Sequence, residues 1–249
     1  MKKCIVTGGA GYLGSNICHF FAKKNFKVYC LDNNRSALKD MKNKNSIIKV
    51  QIDITDKLQV EKFFKSLKSS KLDVLINNAA IDAVPTFSKK LSENNLNTES
   101  WINEFKVGII GSNLMINMFK KKVIRYKEGS IINIGSDLSV ISPNQSIYKS
   151  YFGNYKKPAS YSVIKHGLLG LTKYYSTQFA EYGIKVNMVS PAPIKNPKNV
   201  LSKELKKLIP SKNLTKISDI LKTLYFLSNN DNQNLTGQNI LIDGGRSII

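Results

Sequence analysis

Tyr161-Ser162-Val163-Ile164-Lys165 sets a phenol and an ammonium four residues apart, hence on one face of a helix. A free phenol has a pKa of about 10. A nearby cation favours its phenolate, and each pK unit of displacement corresponds to about 1.4 kcal/mol. A phenol tuned in this way passes a proton to or from a substrate oxygen near neutral pH. Upstream, Asn133-Ile134-Gly135-Ser136 ends an apolar run that reads as a parallel strand, and such sheets bind ligands beyond their strand ends. The Ser136 hydroxyl could hold the same oxygen. Tyr148 lies nearer to Ser136, but the residue four places after it is Phe152 and not lysine, so the expectation falls on Tyr161.

The other chemistry-bearing segment opens the chain. Thr7-Gly8-Gly9-Ala10-Gly11-Tyr12-Leu13-Gly14 follows a strand and starts a helix. Glycines permit the tight turn and let a backbone approach a pyrophosphate, while the helix start offers free N–H groups and a positive dipole end. A glycine pattern is informative only in this strand-turn-helix context, which is the one found here. Asp32 ends the second apolar run. An acidic side chain there accepts both hydroxyls of an adenosine ribose and repels a 2′-phosphate, which favours NAD over NADP. Arg35, three residues on, works against that preference. Asp53 follows the third run and could reach adenine, and Asn77-Asn78-Ala79-Ala80 closes the fourth.

These residues need a frame. Apolar runs at Lys3–Thr7, Phe26–Leu31, Ile47–Gln51, Leu72–Ile76, Ser130–Ile134, Lys185–Val189 and Asn239–Ile242 read as strands, nearly continuous as in parallel strands covered on both faces. Helical patterns lie between them at Tyr12–Lys24, Ser36–Lys42, Lys57–Lys68, Glu99–Lys121, Ser160–Tyr182 and Ile217–Ser228. The alternation predicts an α/β fold: a doubly wound parallel sheet of about seven strands with helices on both faces and right-handed crossovers. No repeat and no Pro/Ser-rich linker divides the chain, so residues 1–249 are expected to form a single domain. Asp82–Thr98 and Pro143–Ala159 lack a strong period and read as long connections, which inside compact domains are often functional.

Composition narrows the field further. The chain has 249 residues, 42% hydrophobic and 22% charged, enough for a core without staples. That balance excludes disordered, collagen-like and disulfide-scaffold classes. The net charge of +21 suggests nucleic acid or a membrane surface, but the lysines are spread over nearly every helix and loop, as on solvated faces, and no such partner is expected. Cys4, Cys18 and Cys30 show no ligand spacing and read as buried apolar side chains. His19 and His166 lack the partners of a metal site, and none is predicted. The N-terminus enters a strand at once without the apolar stretch of a signal peptide, and no apolar run reaches membrane-spanning length, so a cytoplasmic protein is expected.

Taken together, the glycine turn, Asn77-Asn78-Ala79-Ala80, Ser136, Tyr161 with Lys165, Val186-Asn187 with Pro191, and Leu235-Thr236-Gly237-Gln238 through Asp243-Gly244-Gly245 span nearly the whole chain. On these motifs the sequence resembles a short-chain dehydrogenase/reductase. The resemblance implies a single-domain Rossmann fold in which Tyr161 is the general acid/base. Lys165 would bind the nicotinamide ribose and tune the phenol, and Ser136 would position the reacting carbonyl or alcohol. The dinucleotide bed it implies comprises Gly8, Gly11, Tyr12, Leu13, Gly14, Asp32, Asp53, Ile54, Asn78, Ala79, Ala80, Pro191 and Ile194, beside Tyr161 and Lys165. It also implies a homodimer or homotetramer formed through the two long helices, at Glu99–Lys121 and Ser160–Tyr182.

Four departures from the family pattern shape the expected substrate. Glycines at 8, 11 and 14 with Tyr12 between them resemble an extended, nucleotide-sugar-modifying branch, whereas the length and the Asp-Gly-Gly tail resemble the compact one. Gly108 stands where the family has a helix asparagine that serves a water relay; it can mark a kink or close packing but joins no relay. Twenty-five residues separate Ser136 from Tyr161, about twice the common spacing, and the Tyr/Lys-rich insertion Asn144–Lys157 should overhang the substrate. Pro191-Ala192-Pro193 replaces the usual Pro-Gly, and Lys195 and Lys198 follow it in a segment that implies a small lid. The insertion and Asp137 resemble sugar-modifying members from bacterial surface-polysaccharide or flagellin-glycan synthesis. A phosphorylated or nucleotide-linked sugar, met by Tyr148, Lys149, Tyr155, Lys156 or Lys157, is therefore the expected small-molecule substrate, against a solvated basic loop or an oligomer contact. Two other functions use the same motifs: a non-catalytic dinucleotide sensor or scaffold, and a nucleotide-sugar epimerase or dehydratase.

Overall fold

The computed structural model of the chain describes residues 1–67, 71–81, 98–153, 155–196, 200–229 and 234–249. Seven strands form one sheet: β1 (Lys3–Thr7), β2 (Lys27–Asp32), β3 (Ile47–Gln51), β4 (Val74–Asn77), β5 (Gly129–Ile134), β6 (Ile184–Pro191) and β7 (Asn239–Ile242). They lie in the order β3-β2-β1-β4-β5-β6-β7 and every pairing is parallel. The chain winds outward in one direction from β1 and in the other from β4. Their carboxyl ends therefore open a crevice, the place where such sheets bind ligands.

The near-continuous apolar runs follow from burial on both faces. Along β1, Cys4 and Val6 enter one apolar layer with Ile17 and Phe21 of α1 (Tyr12–Lys23) and Leu224 of α9 (Ile217–Ser228). Ile5 between them faces the other layer, with Phe64 of α3 (Lys57–Ser66), Phe119 of α5 (Ser112–Val123) and Phe179 of α7 (Ala159–Phe179). Alternation with period two thus sends successive apolar side chains into opposite cores. The short α2 (Arg35–Asp40) adds Leu38 to the first layer and is capped by Asn34, whose side chain accepts from Ala37 N. Among the described residues no helix is long and apolar enough to cross a membrane.

The helix expected over Glu99–Lys121 is continuous from Thr98 to Val123, but it is not α-helical throughout. α4 (Thr98–Phe105) passes through a π-helical turn, Lys106–Gly111, into α5. Gly108 lies in that turn, and a Cβ there would stand 2.4 Å from Ile164 Cγ2 of α7. Of the two purposes the sequence suggested, the glycine serves the close approach. An asparagine at this position would collide with Ile164.

The insertion between Ser136 and Tyr161 is not all loop: it contains α6 (Ser146–Phe152). Ile147 and Tyr148 of α6 pack with Leu201, Ile209 and Leu205, the last on α8 (Ser202–Lys207), in a third, smaller apolar cluster above the sheet. The polar stretch from Asp82 onward (82–97) and Lys198 lie outside the described residues.

Candidate active site

The glycine turn is built by contacts that tolerate no side chain. Gly8 has φ +60° and its missing Cβ would fall 2.8 Å from Ala79 Cα; a Cβ on Gly14 would lie 2.0 Å from the Gly8 carbonyl oxygen. The end of β4 clamps the turn from the other side. Asn78 Nδ2 donates to the carbonyls of Thr7 and Gly8, both at 3.0 Å, and Thr7 Oγ1 accepts from Asn78 N and Ala79 N. Gly11 is the N-cap of α1, with no side chain capping that end of the helix. A phosphate group fits such a start, because uncapped N–H groups and the helix dipole both favour an anion.

Asp32 stands at the end of β2 beside this turn. Its Oδ2 accepts from Ala10 N at 3.0 Å and its Oδ1 from Asn34 N at 2.9 Å, which fixes the plane of the carboxylate. Each oxygen keeps acceptor capacity for a sugar hydroxyl. Arg35 is exposed. At the end of β3, Asp53 Oδ1 accepts from Thr55 N and Oγ1, both at 2.8 Å.

A buried polar thread holds the reactive helix to the sheet. Asn77 Nδ2 donates to Asn133 Oδ1 across β4 and β5, and Asn133 Nδ2 donates to Thr172 Oγ1 on α7, both at 2.9 Å. One turn along the same helix face from Tyr161, Lys165 is buried and its Nζ donates to the Ile134 carbonyl at 2.9 Å. Two ammonium groups attend the Tyr161 ring: Lys157 Nζ at 4.2 Å and Lys165 Nζ at 5.6 Å from its centroid. Cations at such range are attracted to the face of the ring.

Ser136 caps the turn Asp137–Ser139, its Oγ accepting from Leu138 N at 3.2 Å and donating to Asp137 Oδ1 at 2.9 Å. Asp137 is itself paired with Arg246 from the far end of the chain, Nη1 to Oδ2 at 2.6 Å, with both side chains buried. Burial raises the Asp137 carboxyl above its ordinary value, against Arg246 and the hydrogen bonds from Ser136 and Leu138. Removing one member of such a buried pair leaves an uncompensated charge.

One cavity of about 860 Å³ collects these groups. Every residue of the dinucleotide bed expected from the sequence is on its wall: Gly8, Gly11, Tyr12, Leu13 and Gly14 of the turn, Asp32, Asp53 and Ile54 at the second and third strand ends, and Asn78, Ala79 and Ala80 after β4. Pro191 and Ile194 line it after β6, and Ser136, Tyr161 and Lys165 line it too. Tyr12 also closes over the edge, its hydroxyl donating to the Lys195 carbonyl at 3.0 Å.

The substrate candidates divide. Tyr148 and Lys157 line the cavity. Lys149, Tyr155 and Lys156 are not on its wall: Lys149 and Lys156 are exposed, and Tyr155 packs edge-on against Tyr148, with centroids 5.2 Å apart, behind the cavity surface. On α6, Ile147, Tyr148 and Phe152 meet the cavity and Lys149 is off that face, while Tyr155, Lys156 and Lys157 follow the helix. Sequence reasoning missed Arg246, Ile147, Leu201 and Leu205 as wall residues. Arg246 had a signal, a basic residue directly after the Asp243-Gly244-Gly245 turn, in which both glycines have positive φ. Its partner is 109 residues away, and no local pattern marks it.

Comparisons with known proteins agree with this geometry. A family model described as enoyl-(acyl carrier protein) reductase matches residues 9–247. The chain is 28% identical to an NAD-dependent glycerol dehydrogenase of Listeria innocua over 258 residues, covering 99% of this chain and 94% of that protein. It is 31% identical to a 3-oxoacyl-[acyl-carrier-protein] reductase of Buchnera aphidicola over 254 residues, covering 98% and 96%. A short chain dehydrogenase from Leptospira borgpetersenii, solved with bound NAD+, superposes with a TM-score of 0.85 at 27% identity, covering 99% of this chain and 93% of that one. With a seven-stranded parallel sheet, a glycine turn between β1 and α1 and a phenol attended by lysines, the chain belongs to the short-chain dehydrogenase/reductase family and is an NAD(P)-dependent oxidoreductase.

Proposed function

We propose that residues 1–249 act as one cytoplasmic dinucleotide-binding and catalytic domain that prefers NAD and moves a hydride between its nicotinamide and an alcohol or ketone. The observation that supports this reading is a single cavity lined at one end by the glycine turn and Asp32 and at the other by Ser136, Tyr161 and Lys165. The cofactor, when bound, supplies the hydride chemistry. The chain's own residues do the rest. Asp32 receives the adenosine ribose hydroxyls, and its charge disfavours a 2′-phosphate. Lys165 binds the nicotinamide ribose and keeps Tyr161 poised to take the alcohol proton. Ser136 holds the reacting oxygen against the phenol, and closure of the wall by α6 and α8 keeps water from the reacting carbon.

The phosphorylated or nucleotide-linked sugar expected from the sequence is compatible with Tyr148, Lys157, Asn144 and Asn196 on the cavity wall, which can bond hydroxyls or an anionic group. A panel of secondary alcohols, hydroxy acids, polyols, sugar phosphates and nucleotide sugars, each with NAD and with NADP, tests the proposal by nicotinamide absorbance. Dehydrogenation of at least one class, faster with NAD, is expected. Dinucleotide binding with no turnover across the panel would replace the enzyme by a sensor.

A homodimer or homotetramer belongs to the same proposal. Trp101, Ile102, Phe105 and Ile110 on α4 and the π turn, with Val163 and Tyr174 on α7, are exposed apolar side chains on the two long helical segments. Apolar patches of this kind favour burial against another surface. Light scattering should give a mass of two or four 27.9-kDa chains, and a monomer at micromolar concentration would refute the association.

A further inference from the structure

The last turn of the chain reaches the reacting end of the cavity. Asp243 Oδ1 accepts from Gly245 N at 3.1 Å and its Oδ2 from Ser247 N at 2.8 Å, which ties off the turn that presents Arg246. Gly244 seats that turn against the body of the protein, where a Cβ would stand 2.3 Å from Ser211 Oγ. Arg246 is thereby held on the cavity wall with Ser136 and Asp137.

The hydrogen bonds around Asp137 decide what Ser136 can offer a substrate. A carboxylate only accepts, so the one hydroxyl proton of Ser136 is committed to Asp137 Oδ1, while its Oγ accepts from Leu138 N. During hydride transfer negative charge grows on the reacting oxygen, and a donor is what stabilises it. Ser136 therefore has to turn its proton from Asp137 to the substrate. The carboxylate can release it and stay bonded at both oxygens, since Leu138 N donates to Oδ1 at 2.9 Å and Arg246 Nη1 to Oδ2 at 2.6 Å. The guanidinium also lowers the proton affinity of the carboxylate, which weakens its hold on the serine.

We infer that Arg246 is a positioning residue for the reaction: by pairing with Asp137 it frees the Ser136 hydroxyl to donate to the substrate oxygen. The inference rests on the oxidoreductase reading in which Ser136 holds that oxygen, and it gives the C-terminal turn a part in the chemistry. Burial raises the Asp137 carboxyl and Arg246 opposes the rise, so removing the guanidinium raises it further. Without Arg246 the ionised carboxylate keeps the serine proton. As the pH falls the carboxylate takes up a proton of its own and can donate to Oγ, which leaves the serine proton to the substrate. The surroundings of Asp137 otherwise stay as they are. α7, packed against the Asp137–Ser139 turn, brings Tyr161 and Lys165 to the same cavity, and Lys157 lies just ahead of that helix. β6 brings Ser190 to Ser139 and has its one charged residue, Lys185, at the opposite end, bonded to the Asn229 carbonyl.

The test compares Arg246→Gln, Arg246→Lys, Ser136→Ala, Ser136→Ala/Arg246→Gln and Asp137→Asn/Arg246→Gln with wild type. kcat is measured across pH on the panel alcohol that wild type oxidises fastest, and carbon-13 NMR follows the Asp137 carboxyl in wild type and Arg246→Gln. At neutral pH Arg246→Gln should lower kcat by about ten- to a hundredfold, part of the roughly 10² to 10³ that an oxyanion donor supplies. Its kcat relative to wild type should rise as the pH falls through the Asp137 ionisation seen by NMR, which should itself lie above that of wild type. Taking the ratio cancels the titration of Tyr161. Arg246→Lys should recover most of the loss, because the pair uses one N–H contact that an ammonium can supply. Asp137→Asn/Arg246→Gln should recover it too, with a ratio indifferent to pH, because a neutral amide holds the serine less tightly than a carboxylate. In the Ser136→Ala background Arg246→Gln should lower kcat no further, since no hydroxyl is left to release. An unchanged kcat in Arg246→Gln, a loss independent of pH, or a loss that persists without Ser136 would overturn the inference and leave the oxidoreductase standing. If Arg246→Gln does not fold, the doubly neutral variant and Arg246→Lys decide: recovery in both supports the inference, and a shared loss overturns it. An unchanged kcat in Ser136→Ala would remove the serine's role and the inference with it. Absence of turnover across the panel with either dinucleotide would overturn the oxidoreductase reading itself.

Discussion

Tyr161→Phe is expected to lower kcat for alcohol oxidation by about 10² to 10⁴, the usual contribution of a positioned general acid/base. The substitution removes one oxygen and nothing else. The ring stays beside Lys157 and Lys165, whose Nζ atoms lie 4.2 and 5.6 Å from its centroid, so packing and charge at the site are kept. Lys165 retains its bond to the Ile134 carbonyl, and the glycine turn is at the far end of the cavity. Dinucleotide affinity should therefore change by no more than about threefold while the chemical step collapses, a combination that marks a group acting in the transition state. Single-turnover kinetics with calorimetry of dinucleotide binding separates the two quantities. A variant with near wild-type kcat would move the proton chemistry to another residue. Tyr148, which also lines the cavity, would then be the group to test.

What the sequence disclosed, and what it hid, follows from the range of the forces involved. The strands were readable because both faces of the sheet are covered, so each is an apolar run, and β1, β3 and β7 have the bounds expected from it. β6 extends from Ile184 to Pro191, beyond the expected Lys185–Val189, since its ends are set by the ladder to β5 and β7 and not by hydropathy. Motif residues at strand ends converge on one cavity because parallel strands deliver their carboxyl ends to the same edge. α6 escaped notice for the opposite reason. Its seven residues hold no full amphipathic period, and its apolar side chains are stabilised by Leu201, Leu205 and Ile209, more than fifty residues away. The division of Lys149 and Lys156 from Lys157 likewise depends on how the chain leaves α6, which composition cannot express. The π turn was foreshadowed only by Gly108, a residue with no partner in the local pattern and a close one, Ile164, in space.

The second large effect should come from Asp32, and it concerns which dinucleotide the protein accepts. Ala10 N and Asn34 N hold the carboxylate in a fixed plane at the end of β2, on the cavity wall beside the glycine turn. With NAD bound, the two oxygens would accept the adenosine hydroxyls through charge-assisted bonds worth about 1.5–3 kcal/mol each. With NADP, a phosphate would meet the same carboxylate, and two like charges about 5 Å apart repel by roughly 3 kcal/mol at an effective dielectric near 20. Asp32→Asn removes the repulsion and weakens the attraction, and the exposed Arg35 next to it then faces no competing charge from residue 32. The NAD-to-NADP ratio of dissociation constants should shift toward NADP by about a hundred- to a thousandfold. Asp32→Ala also removes the acceptors of Ala10 N and Asn34 N, so it should produce a similar shift with lower thermal stability; comparing the two variants separates recognition from folding. Fluorescence titration with both dinucleotides measures the ratio directly. Wild-type protein that binds NADP as tightly as NAD, or a ratio indifferent to Asp32→Asn, would mean that the ribose lies elsewhere and that the carboxylate serves only to anchor the turn.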